Sequence, residues 1–254
     1  MTLVRLTDVN VRIPIYDSHA LRLIRLPAFG RAKVGTQAIS HSGSVLIIHA
    51  LNSLNIELHE GDRVCLIGHN GAGKTTLLRV LAGIYPVSTG QVEVVGTVFA
   101  LLGNPMMMNA DATGYETIKL VANLYHWPQE RMPEFIRDIE EFTELGEYLS
   151  LPTRVYSAGM QTRLAFAMAT VQTPDILLLD EGIGAGDAHF QDKAQARVRQ
   201  FISRAKIILL ASHSIELCRA LCTKALILNK GTQVFFGDIE EGLDRYAHLR
   251  DGLA

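Results

Sequence analysis

Val64-Cys65-Leu66-Ile67-Gly68-His69-Asn70-Gly71-Ala72-Gly73-Lys74-Thr75-Thr76 joins an apolar strand-like run to a glycine-rich turn and the opening of a helical pattern over Lys74 to Leu81. Gly68 to Thr75 fits the spacing G-x-x-x-x-G-K-[ST], in the strand–turn–helix context that this phosphate-binding motif requires. Glycines let backbone N–H groups turn inward around an anion with no Cβ in the way, and the helix that follows presents its positive N-terminus to the same charge. The reading assigns Gly68, His69, Asn70, Gly71, Ala72, Gly73, Lys74, Thr75 and Thr76 to the phosphates of a nucleotide. Lys74 reaches the β- and γ-phosphates, and the Thr75 hydroxyl ligates Mg²⁺.

A second motif completes the first. Ile176-Leu177-Leu178-Leu179-Asp180-Glu181 is an apolar run too short for a helix, and it delivers Asp180 to a strand end where it can hold the metal. Glu181 follows directly and is placed to polarise an attacking water as general base. Together the motifs mark a nucleotidase without saying which kind. Tyr156-Ser157-Ala158-Gly159-Met160, 23 residues before Asp180 counted from Ser157, opens another helix on small residues. Such a terminus is a second anion cradle. One triphosphate needs only one, so the second makes sense if it covers the nucleotide of a partner subunit.

Working outward, the short apolar runs Ile176–Leu179, Ile207–Leu210 and Ala225–Leu228 read as buried parallel strands. Helical patterns over 188–205 and 215–221 supply the crossovers. Leu3 to Ile15, Val45 to Ala50, Leu54 to Leu58, Val92 to Leu102 (broken at Gly96) and Gln233 to Phe236 also read as strands, the last entered through a Lys230-Gly231 turn. Helices are expected at Tyr115–Tyr125, Pro133–Leu145, Met160–Val171 and Asp238–Arg250. The architecture expected is a parallel α/β core interrupted by a helical insert. Asp17 to Ser44 carries Arg22, Arg25, Arg31 and Lys33 among apolar residues and reads in part as a short amphipathic helix ended by Pro27, its charges forming a solvated face or facing anionic headgroups.

The 254 residues are 48% hydrophobic and 20% charged, enough to bury a sizeable core and unlike a disordered tail. Lys plus Arg number 24 against 26 Asp plus Glu, for a net charge of −2. That balance lacks the basic surplus of a generic nucleic-acid binder, so no nucleic-acid partner is expected. Cys65, Cys218 and Cys222 are odd in number and lack framework spacing, which points to a reducing compartment, with Cys218 and Cys222 as core residues of one helix face. The N-terminus has no signal-like apolar run and no stretch approaches about 18 apolar residues, so the chain reads as soluble and cytoplasmic.

The phosphate loop, the acidic pair and Tyr156 to Met160 together resemble the ATP-binding subunit of ABC transporters across nearly the whole chain. More narrowly they are similar to the ATPases that export O-antigen, capsule or teichoic-acid polysaccharides. That group's signature commonly reads Tyr-Ser-Ser-Gly-Met, which Tyr156 to Met160 follows except at Ala158. Ala185-Gly186-Asp187-Ala188-His189-Phe190 resembles the segment after the acidic pair in the same exporters, and so does the insert after Tyr16. The resemblance implies an α/β, RecA-like P-loop NTPase: a parallel-sheet core (about 1–103 and 161–254) with a small antiparallel β subdomain and an inserted α-helical subdomain (about 104–160). It makes His213 the switch histidine at the γ-phosphate, Asp187 the aspartate that acts across a dimer, and Ser157 and Gly159 the contacts to the partner's nucleotide.

Its further implications are a homodimer around two Mg-ATP, an integral-membrane permease dimer as partner at the cytoplasmic face of the inner membrane, and a lipid-linked polysaccharide as cargo handled by that permease. Lipid or drug export is the nearest competing cargo. A soluble ABC ATPase acting on DNA or ribosomes and a P-loop kinase are rivals from other classes. Two positions depart from the pattern. Leu102-Gly103-Asn104-Pro105 has no glutamine to sense the γ-phosphate, and Asn104 is the nearest amide. The usual adenine-stacking aromatic falls at Ile13, so Tyr16 either stacks on adenine or packs within the insert. Met106-Met107-Met108 lines a groove for a permease helix or lies buried in the helical insert. The end of the chain at Ala254 leaves no expectation of an appended carbohydrate-binding domain.

Overall fold

The computed structural model describes residues 1–15, 38–42, 45–102, 109–180 and 191–251. Tyr16, Arg22, Arg25, Arg31, Lys33, Asn104, the methionines at 106–108, Glu181 and Asp187 lie outside the described residues. The chain divides into two compact units, Met1–Leu102 with Asp175–Glu181 and Lys206–Ala254, and Gly103–Pro174 with Gly182–Ala205. In chain order the strands are β1 (Leu3–Ile15), β2 (Ala38–Ser42), β3 (Val45–His59), β4 (Arg63–Ile67), β5 (Thr89–Val95), β6 (Val98–Leu101), β7 (Ile176–Leu179), β8 (Ile207–Ala211), β9 (Lys224–Asn229) and β10 (Thr232–Asp238). The helices are α1 (Lys74–Leu81), α2 (Gly114–Leu124), α3 (Met132–Thr143), α4 (Ala158–Thr170), α5 (Gln191–Arg204), α6 (Ile215–Leu221) and α7 (Ile239–Asp251).

All ten strands belong to the first unit, in the order β5-β1-β3-β10-β9-β4-β8-β7-β6, with β2 beside β3. β9, β4, β8, β7 and β6 pair in parallel with their neighbours. Every residue of β7 and β8 is buried, which is why these strands are unbroken apolar runs: helices cover both faces of a parallel sheet. β5, β1, β3 and β2 pair antiparallel and alternate, while β10 runs antiparallel to β9 and parallel to β3. Leu54, Ile56 and Leu58 point into the core while Ser53, Asn55 and Glu57 face water. On that wet face Arg5 donates to Glu57 at 2.9 Å and Glu93 at 2.8 Å.

Three expectations change. Val45–Ala50 and Leu54–Leu58 are parts of one strand, because a bulge replaces the break. Ser53 and Asp8 take positive φ of 51° and 49°, and asparagine side chains collect the displaced amides: the Ser53 N–H donates to Asn10 Oδ1 and the Asp8 N–H to Asn55 Oδ1, both at 2.9 Å. β2 lies inside the stretch read as helix and loop, and pairs antiparallel with β3. Cys65 and Cys218 form a disulfide with Cα atoms 5.7 Å apart across 153 residues of sequence. Parallel pairing of β4 with β8 brings α6, which follows β8, alongside β4, and linear spacing carries no sign of this. Cys222 is buried and free, its thiol pushed up to about 12 by burial.

The second unit packs α2, α3, α4 and α5 around Ile118, Phe135, Ile139, Leu149, Leu164 and Met168. Thr113 and Glu116 cap α2 reciprocally, each side chain meeting the other's backbone N–H. Arg197 of α5 forks onto Asp138 of α3 and donates to Thr170 Oγ1 at 3.1 Å. The unit runs from Gly103 to Pro174 and takes in Gly182–Ala205. Among the described residues no helix is long and apolar enough to cross a membrane.

Candidate functional site

The phosphate loop leaves β4 and ends at Gly73, the N-cap of α1, with φ of 109°. A Cβ on Gly73 would lie 2.8 Å from the Ala50 carbonyl oxygen, and one on Gly68 would lie 2.4 Å from that of Leu228. Neither position has room for a side chain, so the loop is pressed between β3 and β9. Lys74, the first residue of α1, is 7% exposed. Its ammonium donates to the Gly68 carbonyl at 2.6 Å and lies 3.4 Å from that of His69. An incoming phosphate competes for those donors with two carbonyls of the loop itself.

β7 and β8 bring up the remaining groups. The Asp180 N–H donates to the Leu101 carbonyl at 2.9 Å, continuing the parallel ladder one residue past β7. The Asp180 side chain accepts from the Thr75 hydroxyl at 2.7 Å. A hydroxyl and a carboxylate held together are hard oxygen donors suited to Mg²⁺, which takes few protein ligands and fills its octahedron with phosphate oxygens and water. The residues therefore fit that ion. His213 follows β8 and places Nε2 3.5 Å from Lys74 Nζ. The Ser214 side chain caps α6 by accepting from the Leu217 N–H, and the Ser214 N–H donates to Ser212 Oγ, which fixes the turn carrying His213.

Asn70 to Thr76, Asp180 and His213 line one cleft of about 180 Å³. That is below the usual size of a small-molecule pocket and matches a phosphate tail rather than a whole nucleotide. Ser157 belongs to the second unit, where its side chain caps α4 by accepting from the Met160 N–H at 3.2 Å. Gly159 lies in the first turn of α4.

Residues 51–184 match the family model described as ABC transporter. The chain is also 41% identical over 235 residues to the O-antigen export system ATP-binding protein RfbE of Yersinia enterocolitica, covering 91% of this chain and 96% of that one. The chain belongs to the ABC transporter family. As a member it binds and hydrolyses ATP. Its likeness to the teichoic acids export ATP-binding protein TagH of Bacillus anthracis is 36% identity over 78% of this chain. The chain spans only 36% of the length of that longer protein. A solved structure described as the ATP binding subunit of an ABC transporter superposes with a TM-score of 0.67, covering 96% of this chain and 93% of that one at 18% identity, a likeness of fold.

Local spacing singled out Lys74, Thr75 and Asp180, and the family resemblance singled out His213; the structure brings the four side chains together. Neither revealed what stands behind the loop. The Gly231 N–H, from the β9–β10 turn, donates to the Ala72 carbonyl at 2.9 Å. The Lys230-Gly231 pair was legible as a turn, but its target was not.

Proposed function

We propose that this chain is the ATP-hydrolysing subunit of a transporter that exports a lipid-linked polysaccharide of the O-antigen, capsule or teichoic-acid type. It works at the cytoplasmic face of the inner membrane, on a permease dimer that handles the cargo. The observation that carries this reading is the convergence of Lys74, Thr75, Asp180 and His213 on one phosphate cradle, in a chain 41% identical to a protein named for O-antigen export.

Two copies enclose two ATP head to tail. Each site takes Lys74, Thr75, Asp180, Glu181 and His213 from one copy, and Ser157 and Gly159 from the other, with Asp187 acting across the interface. Loop N–H groups and Lys74 hold the β- and γ-phosphates. Glu181 accepts a proton from the attacking water as its oxygen bonds to the γ-phosphorus and the bond to the ADP oxygen breaks. His213 steadies the γ-phosphate; by sequence position alone, Asn104 is the amide proposed to sense it and Tyr16 the aromatic proposed to stack on adenine. Thr75 and Asp180 hold Mg²⁺, which when bound neutralises charge on the phosphate oxygens. Closure of the dimer around ATP and its reopening after hydrolysis drive the permease.

The test is made in cells deleted for the gene. Surface polysaccharide should vanish while its lipid-linked form accumulates inside, and the wild type should restore display. Glu181→Gln should bind ATP yet fail to restore it, losing on the order of 10²–10⁴ in turnover. Unchanged surface polysaccharide in the deletion, with loss of lipid or drug efflux instead, would transfer the cargo to those classes.

A further inference from the structure

We propose that Asn229, at the end of β9, is a positioning residue for the phosphate loop and acts through His69. The proposal needs only nucleotide binding at the loop and stands apart from the identity of the cargo.

A loop that turns its N–H groups in toward phosphate turns carbonyls outward, and carbonyls left without donors are costly. Here neighbours meet several of them. The His69 carbonyl accepts from the Ala72 N–H at 3.0 Å, and the Ala72 carbonyl from the Gly231 N–H at 2.9 Å. The Asn70 carbonyl lies 3.0 Å from Nδ1 of the His69 ring. The other ring nitrogen, Nε2, is 2.9 Å from Asn229 Oδ1. The imidazole thus bridges a carbonyl of the loop to a side chain 160 residues away.

The residue type at 229 suits that bridge. With Nδ1 donating to Asn70, Nε2 accepts in the neutral ring and donates in the charged one. A carboxamide, turned either way, meets both forms with its NH₂ or its oxygen. Asn229 is also on firm ground. The Asn52 N–H donates to the Gly231 carbonyl at 2.8 Å, and Asn52 Nδ2 donates to the Lys230 carbonyl at 3.1 Å. A Cβ on Gly231 would lie 2.6 Å from the Ala50 carbonyl oxygen, so the turn sits directly on β3. The residues that line the cleft run from Asn70 to Thr76 with Asp180 and His213; His69 and Asn229 stand behind that wall, and what they do to nucleotide they do through the shape of the loop.

The experiment is a double-mutant cycle on the full chain with Asn229→Ala, His69→Ala and the pair, reading the Kd of a fluorescent ATP analogue, KM and kcat for ATP, and Tm. Each single variant should weaken binding and raise KM about five- to tenfold, the loss of one hydrogen bond, with kcat changed less than about twofold. The double variant should be no worse than either single, since both remove the same link. Asn229→Gln keeps the carboxamide that can meet either form of the ring and should bind ATP nearly as the wild type does. It also serves as the deciding variant should Asn229→Ala fold poorly. Losses that multiply in the double variant, unchanged ATP affinity in Asn229→Ala, or a tenfold loss in Asn229→Gln would each overturn the proposal.

Discussion

Asp175 shows how much one residue at the end of β7 away from the site contributes to the core unit, and how its contribution is measured. It stands directly before β7, one residue ahead of Ile176, and ties three elements together. Lys206 donates to it at 2.8 Å, and the Thr97 backbone N–H and hydroxyl both donate to Oδ2 at 2.9 Å. The Lys206 ammonium above all, then the Thr97 donors, pull its carboxyl down to about 2. A carboxylate lowered in the folded state stabilises fully above the unfolded value of about 4 and loses that contribution as pH falls toward about 2. Asp175→Asn should therefore cost about 1–2 kcal/mol at neutral pH, an amount moderated by the half-exposed lysine partner. In melts repeated down to pH about 2 the gap between variant and wild type should close. A gap that stays constant with pH would mean that the charge does nothing and only the shape matters.

At the scale of elements, the second unit depends on close approach at the start of α2. A Cβ on Gly114 would lie 2.5 Å from the Tyr156 hydroxyl and 3.0 Å from Leu149 Cα. Tyr156 cannot yield easily, because its hydroxyl donates to the Tyr148 carbonyl at 2.7 Å and its ring is 6% exposed. Gly114→Ala should destabilise the unit by about 1–3 kcal/mol despite the better helix propensity of alanine, which thermal melts will show. Hydrogen exchange should quicken in α2 and around Ser157, the residue after Tyr156, and leave α1 alone. None of this was legible beforehand, since Gly114 meets Tyr156 only after 42 residues of chain return. What was legible was local. Four or five apolar residues in a row announced β7 and β8, the G-x-x-x-x-G-K-T spacing announced the loop and α1, and the small residues from Ser157 to Gly159 announced the start of α4. Pairings over long separations stayed hidden: β2 on β3, Cys65 with Cys218, and the β9–β10 turn behind the phosphate loop. The bulge at Asp8 and Ser53 hid as well, because it rests on side-chain amides of Asn10 and Asn55 that look like ordinary strand polars.

For the whole molecule the decisive question is whether each phosphate site is completed by a second copy. Lys74 belongs to the first unit and Ser157 to the second, and each heads its own helix N-terminus. Head-to-tail pairing predicts that defects at the two can complement. Lys74→Ala removes the ammonium that meets the phosphates. Ser157→Arg fills the exposed cap of α4, at a folding cost of only about 1 kcal/mol for the lost cap. Neither variant alone should trap nucleotide, because every site in either homodimer carries a defect. In a mixture one site of each heterodimer collects both defects and the other is intact. With random pairing half the dimers are mixed, so an equal mixture should trap about a quarter of the nucleotide held by the wild type. The readout is ATP retained after rapid removal of free nucleotide, with Glu181→Gln added to both variants to stop turnover. If the serine instead serves the phosphates of its own chain, every protomer in the mixture keeps its own defect, and retention stays at the level of the separate variants.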